Sequence, residues 1–224
     1  PKKKIIEYIL EDDQQDDKLM DKSLEDFAWE TSSESPAPGG GSISAYLGSL
    51  GVALGTMVAN LSAHKRGWDD YWEQYSNWAE KGKYYMEALN KMVDEDTRAF
   101  NKIMNAFGLP KSTGQEKAER KQAIQEATQY AIEVPFKTMR LCYESMELMK
   151  AMAETGNPNS VSDAGVGALA ARAGVMGAFL NVKINAGGLD DKGYVDKVLK
   201  EGREMQRKAT ELEQEILQKV NEKI

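Results

Sequence analysis

The chain has very few cysteine and histidine residues, and each shortage argues against a class of protein. The only cysteine, Cys142, cannot form an internal disulfide, so a reducing compartment, the cytoplasm, fits best. The only histidine, His64, has no cluster of cysteines or further histidines around it, so we expect no zinc, no di-iron centre and no other metal. A histidine-based triad would have to use His64, and the sequence has no Gly-x-Ser-x-Gly turn.

A basic charge excess and a secretion signal are also lacking. The chain has 29 Lys and Arg against 36 Asp and Glu, a formal charge of -7. This balance argues against nucleic acid or an anionic membrane surface as a partner. No charged leader is followed by an apolar stretch and a cleavage site. An anionic ligand would therefore need a local cluster of basic residues.

Strand signals are scarce, and helical periodicity dominates. The chain has few alternating runs of β-branched residues, whereas apolar residues recur at spacings of three and four over long stretches. We predict an all-α fold, a bundle of long antiparallel helices that forms one domain over residues 22–224. Residues 1–21 have the composition of a leader or linker, with an apolar run at 5–10 and an acidic run at 11–17.

The helix boundaries follow from proline, glycine and capping residues. A first helix is expected to start near Ser23, and the Ser-, Pro- and Gly-rich segment 32–41 is expected to be a loop or a hinge. Pro135 should kink the helix that contains it. The remaining predicted helices span residues 42–62, 68–107, 115–155, 161–185 and 191–220.

Two of these helices are poor in charge and rich in small residues. Residues 43–61 contain no charged side chain, so a transmembrane span is one interpretation. The alternative is close packing at the centre of a soluble bundle, because small residues recur at helical spacing on both helices. They are Ser44, Gly48, Gly51, Gly55 and Ala59 on the first helix, and Gly167, Gly174 and Ala178 on the second.

The run Gly39, Gly40, Gly41, Ser42 stands immediately before a predicted helix. The free backbone N–H groups and the positive end of the helix dipole favour an anion or a developing negative charge there. The alternative is a flexible hinge in which Ser42 caps the helix. No lysine follows at the spacing of a phosphate-binding loop.

Asp96 occupies a position that helical spacing otherwise gives to apolar residues. The series is Met86, Leu89, Val93, Asp96, Phe100, Ile103 and Phe107. Burial should raise the pKa of such a carboxyl toward neutrality, which suits a general acid. The alternative is a buried carboxyl that only accepts hydrogen bonds from a neighbouring helix. Asp94 lies off this series and can pair with Arg98 four residues later.

Further polar residues are candidates for binding. Ser160 and Asp163 have the spacing of a capping box, which gives Asp163 a structural interpretation. Asn181 and Asn185 lie one turn apart on the small-residue side of their helix, where amides are costly unless a partner or a ligand satisfies them. The basic residues at segment edges could form a composite anion site. They are Lys65, Arg66, Lys111 and Arg172.

Three segments together resemble one enzyme family over about residues 22–220. The segments are PAPGGGSISAYLGSLGVALGTMVANLS, DEDTRAFNKIMNAFGLPK and SDAGVGALAARAGVMGAFLNVKIN. In order and separation they resemble the formiminotetrahydrofolate cyclodeaminase and methenyltetrahydrofolate cyclohydrolase family. The leader sequence IIEYILED resembles the link that follows the transferase part of bifunctional formiminotransferase-cyclodeaminases, which favours an excised C-terminal half.

The resemblance implies an all-helical subunit that forms a homodimer or a higher homo-oligomer. It would bind a tetrahydrofolate derivative in a cleft near the subunit interface, with no metal and no tightly bound cofactor. The implied reaction converts 5-formiminotetrahydrofolate to 5,10-methenyltetrahydrofolate and ammonia, a one-carbon step of histidine degradation. A methenyltetrahydrofolate cyclohydrolase is the alternative within the family, and a non-catalytic helical dimerisation domain is the alternative outside it.

The family pattern also assigns residues. In its Asp-x-Asp pair, Asp94 and Asp96, the second residue carries the cyclodeaminase activity. By hypothesis, Asn181, Asn185 and the glycine turn orient the pterin and the amidine, and Asp163 bonds the pterin edge. The remaining assigned residues would hold the glutamate tail. They are Lys65, Arg66, Lys111 and Arg172.

Overall fold

The computed structural model describes residues 18–224, and six α-helices account for most of them. In chain order they are α1 Leu24–Thr31, α2 Gly40–Ala63, α3 Trp72–Gly108, α4 Gly114–Thr155, α5 Val161–Ala186 and α6 Lys192–Asn221. No strand occurs among the described residues, so the predicted all-α fold is confirmed. The two leader runs predicted at 5–10 and 11–17 lie outside the described residues.

Most helix ends follow the predicted signals. The Ser23 side chain accepts a hydrogen bond from the Asp26 N–H at the start of α1. Thr113 and Glu116 form a capping box at the start of α4, which then continues through Pro135 to Thr155. Ser160 occupies the N-cap position of α5 and Asp163 lies in its first turn, as expected, but the capping box is wrong because the Ser160 side chain accepts no capping hydrogen bond.

Two further boundaries differ from the prediction. Helix α2 begins at Gly40 with Gly39 in the N-cap position, so Ser42 lies inside the first turn and is not the cap. Helix α3 begins at Trp72 because Asp69–Tyr71 forms a short 3-10 turn before it. At 37 residues, α3 is about 55 Å long.

Helices α2, α3, α4 and α5 form the bundle, and the contacts fix their directions. Ser42 lies beside Asp96, and Gly82 lies beside Thr56, so α2 and α3 are antiparallel. Gly40 adjoins Asn181, while Gly51 adjoins Gly167 near the start of α5, so α2 and α5 are antiparallel as well. The start of α2, the middle of α3 and the C-terminal part of α5 therefore meet at one level.

Helices α2 and α5 approach until their backbones touch. A methyl group added at Gly51 would lie 2.6 Å from the Gly167 carbonyl oxygen, and one added at Gly167 would lie 2.8 Å from the Gly51 oxygen. Cys142 of α4 fills the space beside this crossing, since a methyl group on Gly48 or Gly174 would meet its Sγ at 2.3 or 2.8 Å. The predicted pairing of the two small-residue helices is confirmed.

The same two helices are long and apolar enough to cross a membrane by length and composition. In Gly40–Ala63 and Pro158–Ala186, 56% and 50% of the most apolar window is buried inside the protein. Core helices of soluble proteins have the same properties. The glycine-mediated contact between α2 and α5 accounts for their composition without lipid.

We expect Gly51→Ala to lower the free energy of unfolding by about 2 kcal/mol or more, because its methyl group would force two backbones apart. The measurement is urea denaturation followed by circular dichroism. Gly114→Ala is the matched control, because a methyl group there meets nothing within 4 Å. Equal stability of the two variants would contradict the close approach.

Candidate active site

Asp96 lies against the first turn of α2. Its Oδ2 accepts a hydrogen bond of 2.9 Å from the Ser42 backbone N–H, one of the N–H groups that a helix start leaves without a helical partner. The Ser42 hydroxyl lies 3.2 Å from the same oxygen and 2.9 Å from the Val93 carbonyl oxygen. A carboxyl group from the middle of one helix thus meets the positive end of another.

Gly41 makes this contact possible. A methyl group added at Gly41 would lie 2.0 Å from Asp96 Oδ1 and 2.6 Å from Oδ2, so a larger residue cannot occupy this position while Asp96 stays in place. Gly39 differs, because a methyl group there would make an ordinary contact of 3.7 Å with the Pro36 carbonyl oxygen. Within the glycine run, Gly41 is therefore the residue that the carboxyl contact requires.

Burial raises the pKa of the Asp96 carboxyl above its ordinary value, and the two hydrogen bonds from Ser42 limit the rise. The direction agrees with the prediction from helical spacing. A carboxyl of this kind can hold a proton nearer neutral pH than an exposed aspartate. It can also accept a proton when it is ionised, so the site has a group for proton transfer in both directions.

Asn181 and Asn185, the two candidate asparagines of α5, have different neighbours. A methyl group added at Gly40 would lie 3.2 Å from Asn181 Nδ2 and 3.6 Å from its Oδ1, and Nδ2 also donates to the Gly177 carbonyl oxygen at 3.0 Å. Asn185 Nδ2 donates to the Ala131 carbonyl oxygen of α4 at 2.6 Å. Asn181 therefore borders the start of α2, while Asn185 ties α5 to α4 one turn further on.

Beyond Asp96, the predicted apolar series leaves the core. Leu89 and Val93 are fully buried, but Phe100 and Phe107 are 38% and 51% exposed, so the helical spacing they share does not give the two halves of the series the same burial. The reason is that α2 begins opposite Asp96 and does not cover the rest of α3. The exposed large apolar side chains of this half of α3 form a strip beside the carboxyl, which we call the apolar strip. It consists of Phe100, Met104 and Phe107.

Asp94 does not share the site of Asp96. Its Oδ1 accepts a hydrogen bond of 2.7 Å from the Leu19 backbone N–H, so it holds the segment before α1 against α3. The predicted ion pair of Asp94 with Arg98 is wrong, because Arg98 pairs with Glu95 at 2.8 Å. Glu95 also accepts a hydrogen bond from the Tyr130 hydroxyl.

Tyr130 is a residue near the site that sequence analysis missed. Its ring lies under the ammonium group of Lys102, with Nζ 3.9 Å from the ring centroid. The spacing of Glu95 and Arg98 allows a helical ion pair, but nothing in the local sequence indicates that α4 supplies a phenol to Glu95.

Three predicted binding residues lie at the opposite end of the bundle. Lys65 and Arg66 follow the end of α2, whose 24 residues place them about 35 Å of helix from the glycine turn. Asp163 is in the first turn of α5, about 27 Å of helix from Asn181. Lys65 also lies over the Trp68 ring, 3.9 Å from its centroid. One protomer therefore does not bring these residues to Asp96.

The other two basic candidates differ in position. Arg172 Nε donates to Glu213 Oε1 at 2.8 Å, and the Glu213 side chain is only 7% exposed. This ion pair between α5 and α6 gives Arg172 a structural role. Lys111 is exposed in the loop between α3 and α4, at the end of the bundle to which the apolar strip leads.

Among residues 18–224, no three His, Cys, Asp or Glu side chains come together as a metal site would require. Ser42 bonds Asp96 and Asn181 borders the start of α2, and hydroxyl and amide groups are poor ligands for zinc or iron. The expectation of a metal-free site stays a prediction.

The sequence profile described as Formiminotransferase-cyclodeaminase matches residues 23–204. The chain belongs to this family. It is 39% identical to a protein named methenyltetrahydrofolate cyclohydrolase from Methylorubrum extorquens, over 91% of this chain and 98% of that protein. It is 34% identical to the formimidoyltransferase-cyclodeaminase of Rattus norvegicus over 88% of this chain, and spans only 36% of that protein.

A solved structure agrees with this membership. The crystal structure of formiminotetrahydrofolate cyclodeaminase from Thermotoga maritima matches with a TM-score of 0.79 at 26% identity, over 90% of this chain and 96% of that one. The predicted membership of the formiminotransferase-cyclodeaminase family and the helical fold are thus confirmed. The relatives carry two different activity names, so membership alone identifies a folate-processing enzyme family and not one reaction.

The raised pKa of Asp96 predicts a pH dependence of stability. The native state binds this proton more tightly than the unfolded chain, so Asp96 stabilises the fold most below its unfolded pKa of about 3.8. That contribution is lost as the pH rises through the raised native pKa. Since Asp96→Asn cannot ionise, the stability of the wild type minus that of Asp96→Asn should decrease with rising pH. Urea denaturation at a series of pH values measures this difference, and a constant difference would contradict the raised pKa.

Proposed function

We propose that this chain is a formimidoyltetrahydrofolate cyclodeaminase, which converts 5-formiminotetrahydrofolate to 5,10-methenyltetrahydrofolate and ammonia. The observation that carries the proposal is the desolvated carboxyl of Asp96 at the start of α2, hydrogen-bonded by Ser42. Ring closure at an amidine needs a group that first accepts and then donates a proton. Asp96 is the carboxyl in the described site with the environment for both steps.

The reaction can be balanced with Asp96 alone. N10 of the folate attacks the carbon of the protonated formimino group, and a bond forms between N10 and that carbon. The proton of N10 passes to the Asp96 carboxylate, which leaves a neutral tetrahedral centre with an amino group. Asp96 then returns the proton to the amino group as its bond to carbon breaks. The products are ammonia and the methenyl cation, and Asp96 is again a carboxylate.

The surroundings of Asp96 suit such a substrate. Asn181 and the free N–H groups of Gly40 and Gly41 can bond the polar edge of a pterin or orient the amidine. The apolar strip that begins at Phe100 offers a surface for the flat aminobenzoyl part. A glutamate tail would extend along α3 toward its far end. Lys111, one of the predicted basic residues, lies there in the same protomer.

A methenyltetrahydrofolate cyclohydrolase is the second candidate. It is favoured by the relative that carries that name and matches over nearly its whole length. In that reaction water attacks the methenyl carbon, and the same carboxyl could accept a proton from it. The bifunctional relatives and the Thermotoga maritima structure carry the cyclodeaminase name, and we rank that activity first.

The decisive assay follows methenyl absorbance and ammonia together after 5-formiminotetrahydrofolate is added to the purified chain. We expect both products in equal amounts. Asp96→Asn should reduce kcat by about 10²- to 10⁴-fold, the usual contribution of general acid–base catalysis. Asp94→Asn is the matched control and should stay within a few-fold of wild type, because Asp94 bonds the Leu19 N–H and not the site.

The other outcomes separate the alternatives. Hydrolysis of 5,10-methenyltetrahydrofolate without release of ammonia from the formimino substrate would favour the cyclohydrolase. A folded chain that binds no folate would support a non-catalytic dimerisation domain. Equal losses in the Asp94 and Asp96 variants would overturn the assignment of Asp96.

We also propose that the active form is a homodimer. Exposed apolar side chains line the side of α2 and α5 that faces away from α3 and α4, in two stripes at helical spacing. They are Leu50, Met57 and Leu61 on α2, and Val166, Leu169, Leu180 and Ile184 on α5. A continuous apolar face of this length is unusual on a monomer, and a second copy would present the same stripes.

A twofold dimer would also bring the candidate residues at the opposite end of the bundle close to Asp96 of the other subunit. If α2 packs antiparallel to its counterpart across Leu54, the end of one α2 adjoins the start of the other. Lys65 and Arg66 of the partner subunit would then stand near the glycine turn and, together with Lys111, supply basic groups for a polyglutamate tail. Asp163 would cross over with them, since the start of α5 lies beside the end of α2, where the Asn157 N–H bonds the Ser62 hydroxyl.

Complementation tests this pairing. Asp96→Asn should inactivate the site, and Lys65→Gln/Arg66→Gln should weaken it at low concentrations of a polyglutamate substrate. Co-expression of the two variants should restore about a quarter of wild-type activity, because half of the dimers are mixed and each holds one intact site of two. No recovery from dimers that sedimentation confirms to be mixed would contradict a shared site.

Cellular context is part of the proposal. We propose that the protein acts in the cytoplasm and in histidine degradation, because both fit the folate chemistry proposed for Asp96. A formiminotransferase domain in the parent chain accords with the bifunctional relatives, of which this chain spans 36 to 40%.

A further inference from the structure

A cavity lies between α3 and α4, far from Asp96. It has a volume of about 740 Å³, within the usual range for small-molecule sites. Its aromatic wall consists of Trp78, Tyr84, Tyr85 and Tyr143, and its floor includes the buried Leu148. Along α3 it is about 22 Å from Asp96, so the proposed folate chemistry does not use it.

The wall offers ring faces and edges in more than one direction. The Tyr84 and Tyr85 rings meet edge to face, with centroids 5.4 Å apart. Trp78 presents its ring to a cation, because Lys81 Nζ lies 4.5 Å from the ring centroid. The protein's own ammonium group thus already occupies an aromatic face in this cavity, which is the contact that a bound organic cation would make.

The charges around the rings have the sign that a cation requires. Three carboxylates line the cavity, those of Glu80, Glu144 and Glu147, against the single ammonium group of Lys81. Burial and the Glu144 carboxylate raise the pKa of the Tyr85 phenol, so the negative potential reaches the aromatic wall. An anionic ligand would be repelled, and a neutral one would gain nothing from the carboxylates.

The cavity continues along α3 into a second one of about 460 Å³ that shares Trp78 and Lys81 with it. Asp70 and Glu73 add two further carboxylates there. Lys81 therefore stands between the two cavities, and its side chain is exposed and forms no ion pair with the lining carboxylates within 4 Å. Displacement of Lys81 from Trp78 would leave the ring face to a ligand.

We propose that this aromatic cavity binds a small organic cation with an alkylated ammonium group. The cation packs against the Trp78 ring in place of Lys81, with the tyrosine rings around its alkyl groups. The carboxylates of Glu144 and Glu147 supply long-range attraction. This cation site is separate from Asp96, and the proposal does not depend on the proposed folate reaction.

Choline and its neutral carbon isostere 3,3-dimethyl-1-butanol are the probes, titrated into the full chain and followed by calorimetry and by NMR of the tryptophan indole signals. We expect choline to bind about tenfold more tightly than the isostere, the preference that a ring face and nearby carboxylates give a cation. Trp78→Leu, and separately Glu144→Gln with Glu147→Gln, should each weaken choline binding about fivefold or more.

Lys81→Gln gives the sharpest test, because removal of the competing ammonium group should tighten choline binding by a few-fold. Lys83→Gln is the matched control: it removes the same charge from the same helix, but Lys83 faces Glu87 at 3.8 Å and does not line the cavity. Equal effects of the two lysine variants would overturn the proposal. Equal binding of choline and the isostere would also overturn it, as would no binding of choline by a folded chain.

Discussion

The contact of α2 with its neighbours at backbone distance is the constraint from which the candidate site follows. Gly51 and Gly167 let α2 and α5 touch, and Gly41 lets the start of α2 reach a carboxyl of α3. Side chains of ordinary size would separate these helices and move the free N–H groups of the first turn away from Asp96. The same small residues that make α2 and α5 resemble membrane spans thus bring the helix start to the carboxyl.

Two opposing effects act on that carboxyl. The Ser42 N–H and hydroxyl stabilise its ionised form, whereas removal from water destabilises it, and the second effect is the larger. A carboxyl held between these effects can change its protonation state during a reaction. Asp94 illustrates the contrast, because it lies two residues away, bonds the Leu19 backbone N–H and serves the packing of the chain before α1.

Sequence analysis predicted the helices, the pairing of α2 with α5 and the special position of Asp96, because all three follow from local spacing and residue size. It could not predict that Phe100 and Phe107 are exposed, since periodicity describes one helix and does not say where its neighbour begins. It also joined Arg98 to the wrong acid, because both Asp94 and Glu95 are within reach and only the fold directs Asp94 to Leu19. Lys65 is far from Asp96 because the start of α2, and not its end, lies against Asp96. The sequence alone does not say which end of α2 meets that part of α3.

Cys142 lies where α2, α4 and α5 cross, with its sulfur against Gly48 and Gly174. Complete burial raises the pKa of this thiol to about 12, and the thiolate is the form that reacts with alkylating agents and oxidants. The chain's only thiol is therefore inert while the three helices stay together. The rate at which Cys142 is modified therefore reports how often the bundle opens at its centre. The wild-type protein needs no added label for this measurement.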